Sequence, residues 1–236
     1  MTNFLNDNMN KPLQMDGFNL LMSLPDDSVD CAFFDPQYRA QLDKLSYGNE
    51  GQSRMKKRSA LEQMSNSVIM QFLLGIEYSL KPSAYLFLWV DKFTVAEGIH
   101  NYWMSEISKS FSGEEALTLV DMIVWDKQSF GMGARSRRTN EYLLVYQETP
   151  KTTKNWKDKG IRDTWSEAIL SPRSGHPHRK PAGLTKRLIQ CVTKPEDVVL
   201  DPCAGSFMVM NTCLSTNRNF IGCDLTLDYL QLDSTP

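Results

Sequence analysis

Ser28-Val29-Asp30-Cys31-Ala32-Phe33-Phe34-Asp35-Pro36-Gln37-Tyr38 is a short apolar run, Val29 to Phe34, that stops at an acid, a proline and an aromatic ring. An apolar run of this length between turn signals suits a strand buried on both faces of a parallel sheet. Ligands of open α/β sheets sit beyond the carboxyl ends of such strands, which places Asp35 and Tyr38 in a crevice. A carboxylate, backbone carbonyls and a flat ring on one stiff turn suit a planar heterocycle with an amino group. Taken alone, these eleven residues favour an ordinary strand followed by an Asp-Pro turn, so the rest of the chain must decide.

Outward from this run, strand and helix patterns alternate. Residues 1–10 read as loose, Met15 to Leu24 as a short helix behind an acid, and Pro25-Asp26-Asp27 as a turn. Residues 39–60 are polar and mixed in charge and read as a mobile loop. Helical spacing returns over 60–80, and Lys81-Pro82-Ser83 ends it before a buried strand at 84–90. A helix is predicted over 94–108, strands over 117–125 and 141–146, and between the strands a basic, glycine-containing loop. After an irregular stretch, 147–180, come a helix from Pro181 to 193, a strand at 197–200, a helix over 206–216 and a strand at 219–223. Such alternation means a doubly wound α/β sheet.

The 236 residues, 41% hydrophobic and 23% charged, are ordinary for one globular domain, here 11–236. The five cysteines lack C-x-x-C pairing and read as buried thiols in a reducing compartment, with no metal expected. No apolar run is long enough for a membrane span or leader, so a cytoplasmic location is expected.

Asp197-Val198-Val199-Leu200-Asp201-Pro202-Cys203-Ala204-Gly205-Ser206 reads as strand, tight small-residue turn and helix start, and Phe220-Ile221-Gly222-Cys223-Asp224 as the next strand closing on an acid. That is the logic of a Rossmann-like nucleoside site: small residues admit the ligand and the second acid takes ribose hydroxyls. The G-x-G-x-x-G fingerprint is missing, which shifts the ligand toward an adenosine compound without a pyrophosphate.

Three elements then resemble one family. Asp35-Pro36-Gln37-Tyr38 resembles the D-P-P-Y motif of amino-group DNA methyltransferases, His176-Pro177-His178-Arg179-Lys180-Pro181 their H-P-x-x-K-P element, and Asp201 to Ser206 their D-P-F-x-G-S-G loop. Their order is similar to that of the permuted β class, over about Asp16 to Asp224. The resemblance implies an α/β, Rossmann-like S-adenosylmethionine-dependent methyltransferase fold, with a circularly permuted mixed sheet and helices on both faces. It implies a target adenine flipped from double-stranded DNA. Tyr38 stacks on that base while Asp35 and the Pro36 carbonyl accept its exocyclic amine. Asp201, Cys203, Ala204, Gly205 and Ser206 then approach the cofactor's methionine part. Asp224 holds its ribose, Asp16 lies near its adenine or simply caps a helix, and Lys180 helps order the pocket. Gln37 in place of the second proline loosens the turn. Cys203 and Phe207 stand where the family has phenylalanine and glycine; either they exchange bulk within the pocket or cofactor affinity is weakened.

Ten basic and three acidic residues between 151 and 187 give that segment about +7 in a chain of net charge −2. A segregated basic segment suits phosphate contact, and 147–180 is the expected target-recognition segment, with Arg173 and Arg179. Trp156 and Trp165 either read bases or anchor the segment to the core. The loops carrying Lys56, Lys57 and Arg58 and Arg135, Arg137 and Arg138 are expected to close over DNA. Adenine N6 methylation is the expected activity because Asp stands first in the motif. N4-cytosine methylation and a catalytically idle DNA-binding subunit are the rivals, and methylation of a protein glutamine is disfavoured by Asp35. Dimerisation is permitted, and the implied setting is the nucleoid.

Overall fold

The computed structural model describes residues 3–37, 64–110, 116–130, 135–169, 179–228 and 230. Its sheet is centred on β2 (Val29–Phe34), which pairs in parallel with β3 (Leu80–Val90) on one side and β7 (Val198–Asp201) on the other. A strand in that position has apolar neighbours over both faces, and five of its six residues are buried. The exception, Asp30, sits at the entry end, where Lys81 lies 2.8 Å away and Val198 donates its N–H at 2.9 Å.

With β1 (Leu13–Gln14), β4 (Leu117–Asp126), β5 (Asn140–Glu148), β6 (Thr164–Ser166) and β8 (Asn219–Asp224), the order is β1-β8-β7-β2-β3-β5-β4-β6. The strands from β1 to β3 are parallel, β5 is antiparallel to both β3 and β4, and β6 is parallel to β4. The expected mixed α/β sheet is therefore present. Period-two alternation divides the core. Ala32, Phe34, Leu86 and Leu88 pack with α2 (Gly17–Ser23), α3 (Asn66–Ser79) and α5 (Ile99–Ser110) on one face. Cys31, Phe33, Phe87 and Trp89 pack with α6 (Ala182–Val192) and α7 (Met208–Leu214) on the other.

Three expectations are corrected. Of residues 1–10, expected to be loose, 3–10 are ordered: α1 (Asn3–Asn8) is followed by Asn10, which pairs with Phe220 through both its backbone N–H and its side-chain oxygen, each at 2.8 Å. The helix expected over 94–108 is two, α4 (Lys92–Ala96) and α5, because Asp91 caps the first and Gly98 turns the chain at φ +67°. Lys81-Pro82-Ser83 belongs to β3, where Ser83 at φ 65° makes an irregularity in the pairing with β2.

At the edge where β2 and β3 begin, Glu77 and Glu148 share a small cavity with Asp26 and Asp27. Burial first, then the charges of Glu148, Asp26 and Asp27, push the Glu77 carboxyl up to about 8. Burial pushes Glu148 up to about 7 against the opposing Thr149 N–H. A raised carboxyl binds its proton more tightly folded than unfolded, so stability falls as pH rises from about 5 through 8. Melting temperatures across that range should decline in the wild type and flatten, with a higher value at pH 8, in Glu77→Gln.

Candidate active site

β8, β7, β2 and β3 run in parallel, so Asp224, Asp201, Asp35 and Asp91 all emerge at one edge. Between the tips of the first three lies the crevice, which Asp16, Gln37, Lys180, Cys203, Ala204, Gly205 and Ser206 also line. Its floor is tight. A β-carbon on Gly222 would come within 2.3 Å of the Asp201 carbonyl oxygen, and one on Gly17 within 2.4 Å of that of Pro202. Glycine at these points lets β8 and α2 abut the turn after β7.

The turn itself is held by backbone donors. Cys203 N–H donates to Asp201 at 3.1 Å, and Gly205 N–H, on a residue at φ 54°, donates to Asp224 at 2.9 Å. Thr226 N–H meets the other Asp224 oxygen at 3.3 Å. Asp16 caps α2, one carboxylate oxygen taking Phe18 and Asn19 N–H at 2.9 and 3.1 Å, and it also faces the crevice. Its two readings, cap and pocket wall, are compatible. Asp201 is buried, and burial, reinforced by Asp35 and Asp224, pushes its carboxyl well up. Among the described residues no cationic side chain pairs with it. A crevice lined by four acids, one of them the buried Asp201, fits a cationic adenosyl ligand with a ribose, which is the chemistry of S-adenosylmethionine.

The supposed exchange of bulk between Cys203 and Phe207 does not occur. Phe207 adopts the left-handed conformation, φ 57°, that a glycine would adopt, but its ring is fully buried on Phe220, with centroids 6.2 Å apart, and lies outside the crevice. Gln37 also has its compensation: its carbonyl accepts Met64 N–H at 2.9 Å, tying down the turn that a second proline would have stiffened.

Asp35 stands at the β2 tip, a third exposed. One of its oxygens lies 2.9 Å from Lys180 Nζ, which also lies 2.8 Å from Glu141 Oε2 and over the Trp89 ring at 5.2 Å. Glu141 in turn meets Lys127 at 3.2 Å through Oε1. Burial pushes the Asp35 carboxyl up and Glu141 adds to this, against the pull of Lys180. Burial also acts to raise Glu141, but Lys180 and Lys127 outweigh it and hold that carboxyl down at about 2. Lys180, expected beside the cofactor, thus contacts the motif acid directly. Glu141 and Lys127 were missed, because in sequence they are a strand residue and a loop lysine far from Asp35.

Tyr38, the loop at 39–60 with Lys56, Lys57 and Arg58, and Arg173 lie outside the described residues. Arg179 lines the crevice, and Arg135 and Arg137 are exposed on the β4–β5 hairpin at the crevice edge. Arg138 lies over Phe93 at 5.7 Å, beside Lys92. The basic segment is only partly where its charge suggested. Lys157 donates to the Thr193 carbonyl at 3.0 Å, Arg187 pairs with Asp158, and Tyr85 Oη reaches the Thr152 carbonyl. Residues 151–160 therefore sit at the end of α6, on the edge opposite the crevice, and a charge sum along the chain cannot register that reversal. Trp156, edge-on to Tyr85 and Phe87, and Trp165, bonded to Glu167, anchor the segment.

A family model described as DNA methylase matches residues 29–234. Type II methyltransferase M.HhaII of Haemophilus parahaemolyticus is 47% identical over 218 residues, 92% of this chain and 91% of its own. DNA adenine methyltransferase YhdJ of Escherichia coli (strain K12) is 36% identical over 94 residues, 38% of this chain and 32% of its own. Among solved structures, PvuII DNA methyltransferase (cytosine-N4-specific) superposes with a TM-score of 0.67 at 17% identity, covering 96% of this chain and 88% of its own. The M1.HpyAVI–SAM complex superposes at 0.60 and 17%, covering 92% and 93%; at such identities the likeness is one of fold. Matched over almost its whole length and nearly half identical to a full-length relative, the chain belongs to the DNA methylase family of N6 and N4 methyltransferases.

Proposed function

We propose that this S-adenosylmethionine-dependent DNA methyltransferase acts on the N6 amine of an adenine flipped out of double-stranded DNA, in the cytoplasm at the nucleoid. The observation that carries the reading is the Asp35 carboxylate in one crevice with the Asp201–Ser206 turn and Asp224. Lys180 occupies one Asp35 oxygen, leaving the other, with the Pro36 carbonyl, to accept the two N–H groups of the amine. Those bonds turn the nitrogen lone pair into the crevice. Bound there, S-adenosylmethionine supplies an electrophilic methyl group on a sulfonium. Asp224 and the Asp201–Ser206 turn orient the cofactor, Tyr38 stacks on the base, and Asp35 is in reach of the proton the amine releases. Rate enhancement then comes from alignment and fixed charges.

Adenine is supported by Asp at the head of the motif and by the partial match to an enzyme named for adenine methylation. N4-cytosine is the second reading, kept because the family comprises both N6 and N4 methyltransferases. The idle-subunit reading loses its motive, since Phe207 does not obstruct the crevice. Incubation of unmethylated DNA with the protein and methyl-labelled cofactor, followed by nucleoside mass spectrometry, should yield N6-methyl-2′-deoxyadenosine. N4-methyl-2′-deoxycytidine alone would overturn the choice of base, and no labelled nucleoside would overturn the activity.

The described DNA-facing groups are Arg135, Arg137 and Arg179. Replacing Arg135 and Arg137 together with alanine should weaken DNA binding and lower the slope of log affinity against log salt by roughly two, about 0.9 per phosphate contact. Fluorescence anisotropy across salt concentrations reads this directly; an unchanged slope would remove the hairpin from the interface.

A further inference from the structure

Lys127, Glu141, Lys180 and Asp35 form a row of alternating charges from the base of the β4–β5 hairpin to the crevice, with links of 3.2, 2.8 and 2.9 Å. Lys127 is the first residue after β4, and its N–H donates to Thr139 at 2.9 Å, closing the hairpin that carries Arg135 and Arg137. Lys127 and Lys180 are almost buried, 12% and 14% exposed, so their charges are poorly screened. Both inner members are held from two sides: Glu141 has one oxygen on each lysine, and Lys180 lies between the two acids.

We infer that Glu141 is a positioning residue for methyl transfer: pinned by Lys127, it fixes Lys180 and thereby sets the orientation and effective charge of the Asp35 carboxylate. The inference rests on the reading of Asp35 as amine acceptor. Glu141 draws Lys180 away from Asp35 and leaves Asp35 a stronger acceptor; Lys127 moderates that draw. Through the crevice, Asp35 also faces Asp201, which neither substitution below alters.

Because the row alternates in sign, removing either of the two charges farther from Asp35 than Lys180 predicts opposite shifts in the pH profile of single-turnover methyl transfer by the full chain. In Glu141→Gln, Lys180 is left to Asp35 alone. The acid limb should move to lower pH and the neutral rate fall about tenfold, with KM for cofactor and DNA within about twofold. In Lys127→Met, the whole Glu141 charge bears on Lys180, and the acid limb should move to higher pH. Acid limbs that stay put, or move the same way in both variants, would overturn the inference, since loosened packing has no reason to give opposite signs. If Glu141→Gln does not fold, Lys127→Met decides by itself: an upward shift supports the inference and none refutes it. Asp35→Ala in the same assay separates the two levels, because an active Asp35→Ala enzyme would sink the reading of the site, whereas an inactive one with unshifted Glu141→Gln and Lys127→Met profiles would sink only the role of Glu141.

Discussion

Asp35→Ala should lose methyl transfer by about a hundred- to a thousandfold, the scale seen when one fixed electrostatic partner of a transition state is removed, while folding and cofactor binding persist. The asymmetry follows from the surroundings of the residue. Asp35 is a third exposed and its carboxyl is held above the ordinary range by burial and by Glu141. A raised carboxylate contributes no stability at neutral pH; its ionisation costs the folded state above the ordinary carboxyl range. Its removal also leaves Lys180 with a partner, because Glu141 remains 2.8 Å away. Thermal melting should therefore be unchanged or slightly higher, and calorimetric titration with S-adenosylmethionine should give an affinity near that of the wild type. A variant that melts far earlier would mean the acid is structural.

The second large effect falls on stability. Phe207 is fully buried between α7 and β8 and packs on Phe220. Replacing it with alanine should destabilise the fold by about 3–5 kcal/mol, the usual loss for deleting a buried aromatic ring. The backbone adds a signed comparison. At φ 57° every non-glycine residue bears a steric penalty of about 1–2 kcal/mol that glycine escapes. Phe207→Gly should thus be less damaging than Phe207→Ala, the reverse of the usual order, and urea unfolding of the two variants would show it. Cofactor affinity of the folded fraction should change far less than stability, because the ring lies outside the crevice. Alanine tolerated within about 1 kcal/mol would show that the ring is not a core element.

Much of this was legible in the residues. Val29–Phe34, Ala84–Val90 and Asp197–Leu200 are apolar enough to name central strands, and each tip acid follows from a strand ending. The small residues Ala204 and Gly205 marked the turn, and their order relative to Asp35 marked the permutation. What the sequence hid depends on pairing in space. A charge sum over 151–187 could not show that 151–160 folds back to the far edge. Phe207 looked like an intrusion because only its backbone shares the glycine's role. Glu141 carries no motif, and its importance arises because antiparallel β5 begins where parallel β2 ends. α1 was missed since what fixes it is long-range: Phe4 and Leu5 pack on the core, and Asn10 imitates a strand neighbour of Phe220 with its backbone N–H and side-chain oxygen.

The central claim is that one crevice joins Asp35 to the cofactor turn and transfers a methyl group to adenine. Modified-base sequencing of plasmid DNA from a methylation-deficient host expressing the chain tests it most directly. Methylated adenines in one recurring sequence context with the wild-type chain, and none with Asp35→Ala, is the result predicted. Equal adenine methylation from Asp35→Ala, or no modified base from the wild type, would contradict it.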